Sequence, residues 1–166
     1  MHSLTREQLA ALLAAAKKYS VRDYLMISTA FRHGMRASEI TQLTAERVRS
    51  GYVTVLRLKG SDKSVQECSP ELTEYAQGKT GRLFNINRRM FDYVMKRHGK
   101  AAGIPEHKRH SHVLKHTTAM LMLEGGGKIN EVQKRLGHKN GGNTLKYLAV
   151  SDDVASRAFQ AAVGSF

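Results

Sequence analysis

Residues 110–147 read HSHVLKHTTAMLMLEGGGKINEVQKRLGHKNGGNTLKY: two histidine-containing clusters followed by a lone tyrosine. His112 and Lys115 are three apart, so on a helix they share one face. Leu114, Ala119, Leu121 and Met122 predict a helix from near Ser111 to about Glu124, ended by Gly125-Gly126-Gly127. A second helix, from Ile129 to Leu136, buries Ile129, Val132 and Leu136 and stops at Gly137, with His138 directly after it. Gly141-Gly142-Asn143 makes a turn, and Tyr147 follows on a short helical piece from Thr144 to Leu148, nine residues beyond His138. A phenol is a weak nucleophile at its free pKa of ~10 and needs activation in a positively charged site. Basic groups converging near a tyrosine hydroxyl suit attack on a phosphodiester.

Outward from this stretch the chain reads as mainly helical. Thr5 with Gln8 has the pattern of a capping box, and Leu9, Leu12, Leu13 and Ala16 form a stripe over residues 5–18. Val21 to about His33 mixes apolar residues on two faces, which predicts a well-buried helix broken by Gly34. A short third helix starts near Ala37 or Ser38 and carries Glu39, Ile40 and Leu43. Residues 52–58 alternate as a strand, Lys59-Gly60-Ser61-Asp62-Lys63 makes a hairpin turn, and Ser64 to Cys68 returns and is closed by Pro70. Leu72 to Gln77 is a weak helix or turn, and Arg82-Leu83-Phe84 is the candidate third strand. Asn87 caps a helix running to about Ala102, with Met90, Phe91, Val94 and Met95 on its core face. A last helix, Val154 to Val163, is capped by Asp152 or Asp153. The fold class expected is mainly α (α+β), a helical domain with a small two- to three-stranded antiparallel sheet.

The chain has 27 Lys and Arg against 14 Asp and Glu, a formal charge of +13. Such an excess attracts polyanions, most simply nucleic acid. The polar side of the Asn87 helix is basic, with Arg88, Arg89, Lys96, Arg97 and Lys100, and it runs on through Lys108 and Arg109. That face suits a DNA backbone, and Lys63 is a further candidate phosphate contact. Cys68 is the single cysteine, so the chain closes no internal disulfide and has no cysteine set for zinc. His107, His110, His112 and His116 lack a carboxylate or cysteine at ligand spacing, so no metal is expected. The amino terminus has charges within its apolar pattern and reads as an amphipathic helix rather than a signal peptide. No apolar run approaches the ~18–20 residues of a membrane span. A soluble, cytoplasmic protein is expected, without a membrane partner.

The ordered boxes resemble the tyrosine recombinase (phage integrase) family. That family carries a His-x-x-Arg box, a Leu-Gly-His box and a tyrosine about nine residues further on. Here they read His112-Val113-Leu114-Lys115, Leu136-Gly137-His138 and Tyr147, with Lys115 standing where the family has arginine. Upstream, His33-Gly34-Met35-Arg36-Ala37-Ser38-Glu39 resembles the family's Thr-Gly-Leu-Arg-x-Ser-Glu box. The resemblance covers residues 4 to about 150.

It implies a catalytic domain that cleaves and rejoins duplex DNA without metal, ATP or other cofactor. Tyr147 would attack phosphorus and form a 3′-phosphotyrosyl link. Lys59, just before the turn glycine, would protonate the 5′-hydroxyl leaving group, with Lys63 across the turn as its rival. Arg36, Lys115 and His138 would stabilise the non-bridging oxygens, His112 would assist proton transfer, and Glu39 would hold the site from behind. Assembly is expected as a monomer without DNA and a tetramer on paired sites, in a bacterial cell and encoded by it or by a phage. Two other functions fit part of the pattern: a DNA-binding module without catalysis, which Lys115 favours, and a type IB topoisomerase, which the box spacings fit less well. Residues 1–166 read as one domain with no amino-terminal clamp domain before Leu4, so the chain is either a catalytic fragment or a minimal recombinase.

Overall fold

The computed structural model describes residues 2–58, 63–138 and Gln160. Lys59, Tyr147 and the helices expected at 144–148 and 154–163 lie outside the described residues, Gln160 excepted. In chain order the elements are α1 (Arg6–Tyr19), α2 (Val21–Arg32), α3 (Ala37–Thr41), β1 (Val48–Arg49), β2 (Tyr52–Val55), β3 (Ser64–Glu67), α4 (Pro70–Ala76), α5 (Arg88–Ala101), α6 (His112–Glu124) and α7 (Ile129–Leu136). The domain is therefore mostly helical with one small antiparallel sheet of order β1-β2-β3.

Local sequence sets most of the boundaries. Thr5 and Gln8 form the expected reciprocal capping box on α1. Ser20, Ser69 and Asn87 cap α2, α4 and α5 through their side-chain oxygens. Pro70 occupies the first turn of α4, where its missing N–H costs nothing, so the weak segment after it is a regular helix. Gly137 ends α7 in the left-handed conformation, φ 68°.

Four expectations are corrected. The third strand is Val48–Arg49, not Arg82–Phe84. Ser50 and Gly51 both take positive φ (53° and 82°) and close a two-residue hairpin that pairs Arg49 with Tyr52. The backbone around Arg82 pairs instead with residues 43–45, through the isolated bridge to Thr44 and the bonds from the Leu83 amide to the Leu43 carbonyl and from the Ala45 amide to the Gly81 carbonyl. The strand expected over 52–58 leaves the ladder after Val55, whose partner Ser64 is the first residue of β3. Met90 is 46% exposed: the Asn87 cap sets a phase that turns Phe91, Val94, Met95 and His98 inward. Ile129, also expected in the core, is only half-buried.

The main core gathers around α2, which packs against α1 and α6 and buries Leu25, Met26, Ile27 and Ala30. Leu12 from α1, Phe91 and Met95 from α5 and Val113 and Leu114 from α6 join it. Two buried polar links cross this core: His98 Nε2 lies 2.8 Å from Asp23 Oδ2, and the Leu4 amide donates to Thr117 Oγ1. A smaller core joins α6 to α7 through Ala119, Met120, Leu123, Val132 and Leu136. No described helix is long and apolar enough to cross a membrane.

Gly34 connects the two cores. Its φ is 57°, and a β-carbon there would overlap the Leu136 side chain. Gly34→Ala should therefore destabilise the domain by about 2–4 kcal/mol, the combined cost of left-handed backbone strain and overpacking. Urea unfolding measures it, and a change within ~0.5 kcal/mol would mean that Leu136 is free to move aside.

Candidate active site

The site is built where three chain segments meet: the turn between α2 and α3, the start of α6, and the end of α7. Arg36 stands at the amino-terminal boundary of α3 with extended backbone, and its side chain is 27% exposed. Glu39, one turn on, is 3% exposed and reaches back. Its Oε2 accepts from the Arg36 amide at 2.8 Å and its Oε1 from Arg36 Nη1 at 3.1 Å. Arg36 is thereby oriented by its own helix rather than swinging free at the surface.

His112 and Lys115 share the first turns of α6, as their spacing requires. His112 is exposed, whereas Lys115 is 3% exposed. Lys115 Nζ donates to the Leu136 carbonyl at 3.0 Å, tying α6 to the last turn of α7. Burial, reinforced by the Arg36 charge, pulls the Lys115 ammonium down to about 7. The Glu39 carboxylate opposes that shift. His138 follows the left-handed Gly137, and its amide donates to the Gln133 carbonyl. Burial, then the Lys115 and Arg36 charges, hold its imidazole at about 4, so it is neutral at physiological pH. His112 is also lowered, by burial first and then by His110, Lys115, Arg36 and Arg88. The Arg36 and Lys115 charges thus bear on both histidines, and the Arg36 charge bears on Lys115.

Sequence reasoning missed Arg57. Its side chain is fully buried. Nη1 donates to the Gly34 carbonyl at 2.8 Å and to Glu39 Oε2 at 3.1 Å, and Nη2 donates to the carbonyls of His33 at 2.7 Å and Arg135 at 2.6 Å. Strand alternation carried the signal. Val53 and Val55 point inward, so Arg57, two further on, points inward too. His33 and Arg135 were missed as well. His33 is buried with Nδ1 against Gln66 Oε1 at 2.8 Å, and Arg135 donates twice to the Arg32 carbonyl that ends α2.

Lys63, the rival to Lys59, shares a groove of about 490 Å³ with Ser64, Gln133, Gly137 and His138. Along the basic face, Arg88, Arg89, Lys96, Arg97 and Lys100 are exposed and Lys108 and Arg109 half-buried. Arg97 is engaged, its guanidinium 4.5 Å from the Tyr19 ring and donating to the Tyr19 hydroxyl at 2.7 Å. Arg109 lies over Gly99 and donates to the Ile104 carbonyl. Among the described residues no group of three or more His, Cys, Asp or Glu is arranged to hold a metal.

The family model for the phage integrases matches residues 2–153. The chain belongs to the phage integrase family. Among relatives of this family, tyrosine recombinase XerA of Pyrococcus furiosus is 32% identical over 167 residues, covering 90% of this chain and 57% of the relative. Tyrosine recombinase XerC of Caldanaerobacter subterraneus is 28% identical over 151 residues, covering 81% and 43%. The chain thus spans about half the length of these curated relatives. The catalytic domain of bacteriophage HP1 integrase superposes with a TM-score of 0.73 at 26% identity, covering 96% of this chain and 94% of that one. The fold is that of an integrase catalytic domain.

The buried ammonium gives a pH prediction for this integrase site. The folded protein releases the Lys115 proton near pH 7, while the unfolded chain holds it to ~10.4. Between those values the unfolded state binds more protons, so Lys115 makes stability rise with pH, relative to Lys115→Met. Side-chain ¹⁵N NMR should find the Nζ midpoint near 7. A midpoint at the ordinary lysine value would mean that the ammonium is solvated or fully paired.

Proposed function

We propose that this domain catalyses site-specific DNA recombination, cleaving and rejoining strands through a 3′-phosphotyrosine intermediate. The observation that carries the reading is that the Arg36 turn, the His112–Lys115 turn and the Gly137–His138 turn are joined by the buried Arg57 and Lys115 hydrogen bonds, in a chain belonging to the phage integrase family. Its relatives named tyrosine recombinases support the same reaction, and solved neighbours include lambda integrase bound to DNA.

In this reading Tyr147 Oη forms a bond to phosphorus as the bond to the 5′ oxygen breaks. Arg36 and Lys115 hold the non-bridging oxygens, where negative charge builds in the transition state. His138, neutral at pH 7, donates a hydrogen bond there without adding a charge that would have to be desolvated. His112 takes up the tyrosine proton. Lys59 gives a proton to the departing 5′ oxygen, with Lys63 in the groove beside His138 as the other candidate donor. The phosphotyrosyl ester preserves the bond energy, so an incoming 5′-hydroxyl reverses the step on another strand. Neither metal nor cofactor takes part. The exposed Arg88, Arg89, Lys96 and Lys100 contact phosphates of duplex DNA, with Arg97, Lys108 and Arg109 beside them. The domain is monomeric alone and joins a tetramer on paired sites, in the cytoplasm.

On a suicide DNA substrate, the wild type should form a covalent protein–DNA adduct and Tyr147→Phe should form none while binding DNA normally. An adduct surviving in Tyr147→Phe removes the assignment. No adduct with wild type leaves the non-catalytic DNA-binding module. Lys115 keeps a charge but lacks the arginine fork, and loss of one such donor costs ~100–1000-fold in other enzymes. Lys115→Arg should therefore speed cleavage or leave it unchanged, and it should extend activity to higher pH, because arginine stays charged where Lys115 does not. Cleavage abolished by Lys115→Arg would show a site adapted to lysine.

Affinity for duplex DNA should fall by orders of magnitude between ~50 and ~200 mM salt, as neutralised phosphates release counterions. Fluorescence anisotropy across that range checks it, and salt-independent binding would contradict the basic face.

A further inference from the structure

The Arg57 guanidinium lies behind the oxyanion site and takes no part in the reaction above. It cannot touch a ligand. Its side chain is fully buried, four of its five N–H groups are used, and the fifth, on Nε, has no partner among the described residues. Nε is instead pressed against Gly137, where a β-carbon would come within 2.6 Å. Left-handed backbone already favours glycine there, and the close approach of Arg57 excludes any other residue unless the guanidinium moves.

What Arg57 does touch is Glu39, on the oxygen opposite the one that meets the Arg36 guanidinium. Arg36 and Glu39 alone would be a neutral pair, and a carboxylate 3.1 Å from the Arg36 guanidinium would oppose its pull on an oxyanion. Arg57 restores a net positive charge to the trio. Its remaining bonds, to His33, Gly34 and Arg135 carbonyls, fasten the Arg36 turn to the end of α7, which carries His138.

We propose that Arg57 is a positioning residue of the oxyanion site: it offsets the charge of Glu39, so that Arg36 faces a bound phosphate as an effective cation, and it locks the Gly137–His138 turn against the Arg36 turn. This rests on reading Arg36 as the phosphate ligand, but not on any cleavage step.

The test uses orthovanadate as the phosphate probe, with affinity read from the Arg36 Nε–H resonance. Arg57→Met should weaken vanadate binding about tenfold, and Arg57→Lys should stay near wild type. Adding Glu39→Gln to Arg57→Met should recover most of the loss, because the charge that Arg57 offsets is then gone; a purely structural role would show no such recovery. The proposal is overturned if the double variant stays as weak as Arg57→Met, if Arg57→Met binds like wild type, if Arg57→Lys is as weak as Arg57→Met, or if wild type binds no vanadate at Arg36. Should Arg57→Met fail to fold, Arg57→Gln, which keeps a donor but not the charge, takes its place: vanadate binding about tenfold weaker, recovered by adding Glu39→Gln, supports the proposal, and binding like wild type overturns it. Adduct formation on the suicide substrate is followed in parallel. Vanadate results as expected from a wild type that makes no adduct would sink the recombinase reading and leave the role of Arg57 standing.

Discussion

A carboxylate at 3% exposure stays charged only if donors replace the water it has lost, and Glu39 has three on its two oxygens: the Arg36 amide, the Arg36 guanidinium and the Arg57 guanidinium. Each donor belongs to a different structural task. The amide bond finishes the start of α3. The Arg36 bond orients a guanidinium that is about a quarter exposed. The Arg57 bond draws the end of the β2 segment inward and under the turn. Removing the carboxylate would leave Arg57 buried with only neutral carbonyls around its charge, so the arrangement depends on all three groups together.

The end of α7 shows the same physics from the acceptor side. A helix terminus leaves carbonyls without intrahelical partners and carries partial negative charge. Here Arg57 caps the Arg135 carbonyl and Lys115 caps that of Leu136, both buried cations from distant segments. The end of α2 is treated likewise, because Arg135 reaches across to the Arg32 carbonyl. With Leu136 seated on Gly34, these bonds make the α2–α3 turn and the α7 terminus one rigid unit. Lys115 then faces two demands. It holds a helix end in place, and its ammonium is buried and sits among Arg36 and Arg57, so desolvation first and the two charges second weaken its hold on the proton.

Much of this was readable in the residues. The caps Thr5, Ser20, Ser69 and Asn87 act within three residues of themselves, so local sequence is enough to locate α1, α2, α4 and α5. The order of Arg36, His112, Lys115, Leu136-Gly137-His138 and Tyr147 pointed to the phage integrase family because each box combines a backbone requirement with a chemical one. Glycine at 34 and 137 fits that account, since both take positive φ. Met90 and the third strand were misjudged where phase and pairing depend on neighbours: one register step along α5 exposes a methionine, and the Ser50-Gly51 hairpin supplies the third strand while the Arg82 segment pairs with residues 43–45.

What the sequence by itself determined was the set of helices among the described residues, the basic charge and the family, because these follow from spacing and residue type. Tertiary structure alone decided which cations reach the surface and which are buried against the protein. Arg36 and Arg57 are identical side chains in similar company along the chain, yet one is a quarter exposed and the other fully buried. The difference arises from chain segments far apart in sequence: Arg135 supplies a carbonyl 78 positions from Arg57, and Leu136 one 21 positions from Lys115. Desolvation and the competition of neighbouring charges act through space, so the protonation of Lys115 and His138 and the bracing of Glu39 exist only once those segments have met.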